Sequence, residues 1–192
     1  FVFEEMLEQL FVLSADDVNP LGNYLKNHIP VRVFPAGEQI AYSNYGSALA
    51  AYIVERVSGM SFYEYVEQNI FNPLNMNRST IRQPVPENIE GDLSYGYANI
   101  KGDYKKDEYE YVQPYPAGSL SSTAADMSKF MLAHLNNGFY GGNRILEAET
   151  AREMHSQSFT HYEDFSGMAH GFIEMNYNGY RIITHGGDTF LF

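Results

Sequence analysis

Residues 34–59 read FPAGEQIAYSNYGSALAAYIVERVSG. Pro35-Ala36-Gly37 is a turn, a short extended segment follows, and Tyr42-Ser43-Asn44 stands immediately before an apolar helix that stops at Gly59. Ser43 or Asn44 can cap that helix, whose expected apolar face includes Leu49, Tyr52, Ile53 and Val57. A phenol and a carboxamide two residues apart at a helix start are held at one rigid edge, whereas a loop alone would leave them mobile.

Upstream, Phe3, Met6, Leu7, Leu10 and Phe11 recur on a helical period and predict a helix over 1–13. Asn19-Pro20 reads as an N-cap followed by Pro at the first helical position, opening a short helix to about Asn27. Val31 to Phe34 reads as extended. Downstream, Ser61 and Glu64 have capping-box spacing, and the helix they start ends at Asn72-Pro73. Residues 81–115 are rich in Pro, Gly, Asp and Tyr and read as an irregular connector with one hairpin around Gly102-Asp103. Its tyrosines pack the loop onto the body or wall a ligand, and Lys105 to Glu108 is a solvated tip. Thr123 and Asp126 form a second capping box for a helix running to about Asn136, before Gly138. One more helix spans 147–155. Asn178-Gly179 between two extended runs, 171–177 and 180–185, is a two-residue hairpin turn, since both turn positions need positive φ.

The 192 residues are 44% hydrophobic and 19% charged, enough for a core in one domain or two small lobes. A formal net charge of -12 argues against nucleic acid or an anionic membrane as partner, because both need clustered Lys and Arg. There is no Cys, hence no disulfide, thiolate nucleophile or cysteine-based zinc site. No apolar run approaches the ~20 residues that span a bilayer. The first residues lack the basic start and cleavage site of a signal peptide, and a start without Met reads as a processed product or an excised piece.

Three segments in order carry a resemblance: PAGEQIAYSNYG at 35–46, PAGSLSSTAADMSKFM at 116–131, and His185-Gly186-Gly187 at the end of an extended run. Together they resemble the serine β-lactamase and penicillin-binding-protein family, in the class C-like branch that includes D,D-peptidases and esterases. The resemblance implies an α+β fold seen in part: a mainly helical lobe over 1–165, with the connector 81–115, and a C-terminal β-hairpin with the start of a following strand over 166–192. By the same resemblance Tyr42 is the proton-handling phenol and Asn44 the amide that orients substrate. His185 stands where the family has the Lys or His of its third motif, able to hold a carboxylate and to tune the phenol. Gly186 and Gly187 leave room for a substrate backbone along the strand, and the amide of Asp188 is an oxyanion donor. His in place of Lys weakens a β-lactam carboxylate clamp and favours a peptidase or esterase substrate. Ser119, Ser121 and Ser122 are expected to be scaffold.

The family's nucleophile needs a Ser three residues before a Lys, one helix turn apart, so that the amine can take the hydroxyl proton. Lys26, Lys101, Lys105, Lys106 and Lys129 are preceded at that spacing by Asn23, Ala98, Gly102, Asp103 and Asp126. None is Ser, and neither G-x-S-x-G nor H-E-x-x-H occurs. Ser43 lies inside the motif but has no activating Lys or His nearby in sequence. A tyrosine of reference pKa about 10 is a poor base at neutral pH without a cation beside it. The expectation is therefore a fragment of a serine acyl hydrolase acting through an acyl-enzyme on a peptide, β-lactam or ester carbonyl, catalytically silent alone. The alternative is a non-catalytic receptor or binding module for a peptide or cell-wall fragment. No cofactor is implied, and His28, His134, His155, His161 and His170 show no metal-ligand spacing. The open hairpin edge and uncovered lobe face invite homo-oligomerisation or association with the rest of the domain. The resemblance implies a bacterial extracytoplasmic or cell-envelope setting, on which the residues themselves are silent.

Overall fold

Asn44–Ser58 forms a 15-residue helix because both ends are closed by local chemistry. At the start the Ser43 hydroxyl accepts the Gly46 N–H at 2.9 Å. At the end Gly59 takes a left-handed φ of 74° and returns its N–H to the Glu55 carbonyl. The structure, a computed structural model, describes residues 10–190. The helical expectation for Phe3, Met6 and Leu7 lies outside the described residues.

In chain order the elements are β1 (Phe11–Val12), α1 (Leu21–Asn27), α2 (Asn44–Ser58), α3 (Phe62–Val66), α4 (Glu87–Glu90), β2 (Tyr97–Ile100), β3 (Asp103–Lys106), β4 (Tyr111–Val112), α5 (Ala124–Leu135), β5 (Phe139–Tyr140), β6 (Asn143–Arg144), α6 (Ala148–His155), β7 (Ile173–Tyr177) and β8 (Tyr180–Thr184). The described strands make four separate antiparallel pairs, β1·β4, β2·β3, β5·β6 and β7·β8, with no closed sheet. The class is α+β, as the sequence implied.

Two adjoining clusters form the core. One gathers Val66, Phe71, Leu74, Met76, Ile81 and Ala133 between α3, the loop after it and α5. The other packs Leu21, Tyr24 and Leu25 of α1 against Ala48 and Ala51 of α2. Phe62 and Tyr115 touch both. The small Ala48 and Ala51 let α1 approach α2 closely, which corrects the expected apolar face. Only Tyr52 of the four named residues turns partly inward; Leu49, Ile53 and Val57 are exposed.

Several local readings shift. The helix expected through Leu13 gives way to β1, which pairs Phe11 with Val112 and Val12 with Tyr111. The cap of α1 falls on Pro20, because Asn19 is engaged elsewhere, its N–H and carboxamide both donating to Gln113 Oε1. Residues 31–34 form no strand. Ser61 and Glu64 do close a capping box, the Ser61 hydroxyl donating to Glu64 Oε2 at 2.6 Å. These serine bonds hold the Glu64 carboxyl below its usual range. The helix they start continues past Val66 as a π-helical turn over Glu67–Phe71.

At α5 only half of the predicted box forms. Thr123 Oγ1 accepts the Asp126 N–H at 3.2 Å. The buried Asp126 carboxylate instead accepts from the Arg78 N–H, the Ser79 hydroxyl and Lys129 Nζ. Burial alone would raise its pKa, and these donors outweigh that and lower it. The hairpin β7·β8 turns at Asn178 and Gly179 with φ of 51° and 80°. Lys101 and Gly102 do the same for β2·β3.

Candidate active site

Tyr42 lies just before the cap of α2 and is 61% exposed. Its hydroxyl donates to Asn44 Oδ1 at 3.0 Å, a bond the Tyr-x-Asn spacing permits because Ser43 between them is extended. From more than 140 residues away in sequence, His185 follows the last residue of β8, and its ring lies 5.8 Å from the Tyr42 ring between centroids, tilted by 50°. Three polar groups from two remote stretches therefore share one surface. The His185 Nδ1–H donates to the Gly186 carbonyl at 2.5 Å, which leaves Nε2 as the ring's other hydrogen-bonding atom.

Gly186, Gly187 and Asp188 leave the strand along the surface and are exposed. Gly186 meets His185 through its carbonyl; Gly187 and Asp188 follow by chain continuity and make no hydrogen bond to Tyr42 or Asn44. Neither glycine has a positive φ, and a Cβ at either would meet nothing within 4 Å. Neither backbone strain nor internal packing therefore demands glycine there.

Both supports of this surface are locked by carboxylates that sequence reasoning passed over, Glu55 half-buried and Glu174 buried. Glu55, on the inner side of α2, accepts the Phe62 N–H at 2.8 Å and the Tyr115 hydroxyl at 2.9 Å through one oxygen. That joins α2, the start of α3 and the turn at 115–117. Burial, then the Glu55 bond, pushes the Tyr115 phenol well above its ordinary pKa. A lone Glu one turn beyond Ala51 was the available signal. Tyr45 adds a bond from its hydroxyl to the Leu25 carbonyl.

On the other side Glu174 of β7 is buried and accepts from Gly167 N–H at 3.0 Å, Gln157 Nε2 and Arg181 of β8. Burial would raise its carboxyl pKa; the bonds from Gln157, Arg181 and Gly167 prevail and lower it. Arg181 also donates to the His155 carbonyl at the end of α6. His134 and His155 bond ring to ring at 2.9 Å between α5 and α6, with Phe172 edge-on to both. Burial lowers the pKa of both, with His155 adding to it at His134 and Arg181 at His155. The expected scaffold serines hold backbone or neighbouring hydroxyls: Ser119 donates to the Ile81 carbonyl, Ser121 exchanges backbone bonds with Thr80, and Ser122 meets Ser79. Among the described residues no three of His, Asp or Glu gather into a metal-ligand cluster, and no described helix is long and apolar enough to cross a membrane.

Residues 12–191 match the family model described as Beta-lactamase. The chain belongs to the beta-lactamase family. Among curated relatives, Beta-lactamase-like protein 1 of Dictyostelium discoideum is 38% identical over 89 residues, 43% of this chain and 13% of that protein. Penicillin-binding protein 4* of Bacillus subtilis is 39% identical over 66 residues, 33% of this chain and 14% of that protein. The structure of the octameric penicillin-binding protein homologue from Pyrococcus abyssi superposes with a TM-score of 0.69 at 25% identity, covering 90% of this chain and 39% of the other. The chain thus aligns to well under half the length of each of these beta-lactamase-family relatives. It is a beta-lactamase-like sequence in which helices stand beside several short antiparallel strand pairs.

Proposed function

We propose that Tyr42, Asn44 and His185 form one wall of an acyl-transfer site acting on the carbonyl of a peptide, a β-lactam or an ester. The carrying observation is that the Tyr42 hydroxyl bonds Asn44 while its ring leans on His185. In this reading a serine hydroxyl, from a Ser-x-x-Lys segment outside these 192 residues, attacks the carbonyl carbon. Tyr42 passes its proton to the leaving group, and water then cleaves the acyl ester. Asn44 orients the acyl side chain, His185 supplies positive charge toward the phenol or a substrate carboxylate, and the amide of Asp188 faces the oxyanion. Open space beside Gly186 and Gly187 supports an extended substrate lying along the strand exit.

The test pairs this chain with a polypeptide that also carries the Ser-x-x-Lys segment, each incubated with a fluorescent penicillin and a p-nitrophenyl ester. The expected result is no covalent adduct with the chain alone and an adduct with the longer form. Tyr42→Phe should slow acylation of the longer form by about 10²–10⁴-fold. Acylation of the chain alone, or unchanged acylation in Tyr42→Phe, defeats the reading. The absence of Ser-x-x-Lys from the 192 residues favours a second reading, a non-catalytic peptide receptor. Saturable binding of a peptide by the longer form without any adduct would select it.

A further inference from the structure

Residues 29–41, which deliver Tyr42 to its neighbours, have little hold on the rest of the protein. Ile29, Val31 and Val33 are exposed. Among the described residues, the only hydrogen bond linking this backbone to another part of the chain runs from the Ile40 N–H to His161 Nε2, at 3.3 Å. Ile40 stands two residues before Tyr42. To accept that N–H the imidazole must be neutral, with its proton on Nδ1.

His161 is itself fixed. Phe159 meets its ring edge-on with centroids 5.3 Å apart. Thr160 Oγ1 ties the same turn to the carbonyls of Tyr162 and Phe165. Phe159 pairs with Met168, Met168 with Ile173, and Ile173 lies opposite Thr184, the residue before His185. One run of backbone pairing therefore carries both His161 and His185. Through them it reaches the Tyr42 segment twice, at Ile40 and at the phenol ring.

We propose that His161 is a positioning residue for Tyr42: by accepting the Ile40 N–H it holds the otherwise unanchored 29–41 segment so that the phenol meets His185. The inference rests on reading Tyr42, Asn44 and His185 as one site, but the geometry it predicts is measured without any turnover. Wild type, His161→Ala and His161→Gln are prepared as the full 192-residue chain. Hydrogen exchange of the Ile40 amide and NOEs between the Tyr42 and His185 rings are recorded by NMR. In His161→Ala the Ile40 amide should exchange about fivefold faster, the worth of one neutral hydrogen bond, and the ring NOEs should fade. His161→Gln, whose side-chain oxygen can take the same N–H, should restore both, which a merely space-filling role would not require.

Unchanged Ile40 exchange in His161→Ala overturns the proposal. So do faster exchange with intact ring NOEs, or a Gln variant that behaves like Ala. Whether the phenol handles a proton is decided separately by acylation of Tyr42→Phe, so the two readings fail independently.

Discussion

Arg181→Ala tests the lock that holds the His185 hairpin against the helices. Glu174 is buried and Arg181 is about half exposed, so removing the guanidinium leaves a buried carboxylate with only Gln157 and the Gly167 N–H. Stranding a fully buried charge costs about 3–5 kcal/mol; partial solvation of this pair and the two surviving donors bring the expectation to about 2–3 kcal/mol. With a urea m-value of about 2 kcal/mol/M, the unfolding midpoint at pH 7 should fall by about 1 M.

The pH dependence carries a sign. In the wild type the Glu174 pKa is depressed, so its contribution is present above the unfolded carboxyl value of about 4.3 and is lost as pH falls through the window beneath it. Without Arg181 the lowering contributions of the guanidinium are gone, so the carboxyl titrates higher than in wild type and protonation relieves the variant. The deficit should therefore shrink by at least about half between pH 7 and pH 4. Adding Glu174→Gln to Arg181→Ala should recover much of the loss at pH 7, because no charge is then left buried. A midpoint within about 0.2 M of wild type, or a deficit equal at both pH values, would refute this account of the hairpin's attachment.

The His134–His155 pair makes a second pH test. Both folded pKa values are depressed, so the stability they confer is full above the unfolded value of about 6.5 and lost as pH falls through the window below it. His155→Gln should flatten that slope in urea titrations between pH 7 and pH 5. Glu55→Leu strands the Phe62 N–H and the Tyr115 hydroxyl, and should cost about 1–3 kcal/mol in urea unfolding while the Tyr115 phenol, followed by NMR, titrates at lower pH than in wild type. Gly138→Ala forces a residue at φ 86° to place Cβ 2.2 Å from the Leu146 carbonyl oxygen, so calorimetry should show Tm lower by about 5–10 °C.

What the sequence disclosed follows the range of the interactions involved. Gly59, the Ser61–Glu64 box and Asn178-Gly179 are set by chemistry within a few residues, and they stand where the local pattern put them. Asp126 and Asn19 misled because a distant partner outbid the local one: Arg78 and Ser79 for the carboxylate, Gln113 for the carboxamide. Strand β4 was illegible, since two residues pair only once β1 arrives from a hundred positions away. At the site, the Tyr-x-Asn spacing announces the Tyr42–Asn44 bond. Nothing local announces the approach of His185, which came from the resemblance and from motif order, and His161 carried no pattern at all.

Helical periodicity failed at α2 for a different reason. It identifies a face built for burial but not the body that buries it. The Leu49-Ile53-Val57 stripe is exposed, while the core uses Ala48 and Ala51. The same inversion holds at β7·β8, where Glu174 is buried against Gln157 and Gly167 and Met175, Tyr177, Tyr180 and Ile182 are exposed. Exposed apolar faces of this kind mark surfaces that meet something else. Tyr42 just before α2 and His185 just after β8 meet ring to ring at the surface, whereas the locks at Glu55 and Glu174 are turned inward. Position therefore separates the two kinds of residue: substitutions at Glu55 or Glu174 should register first in unfolding, and a substitution of the Tyr42 hydroxyl, which is exposed and among the described residues bonded only to Asn44, first in chemistry.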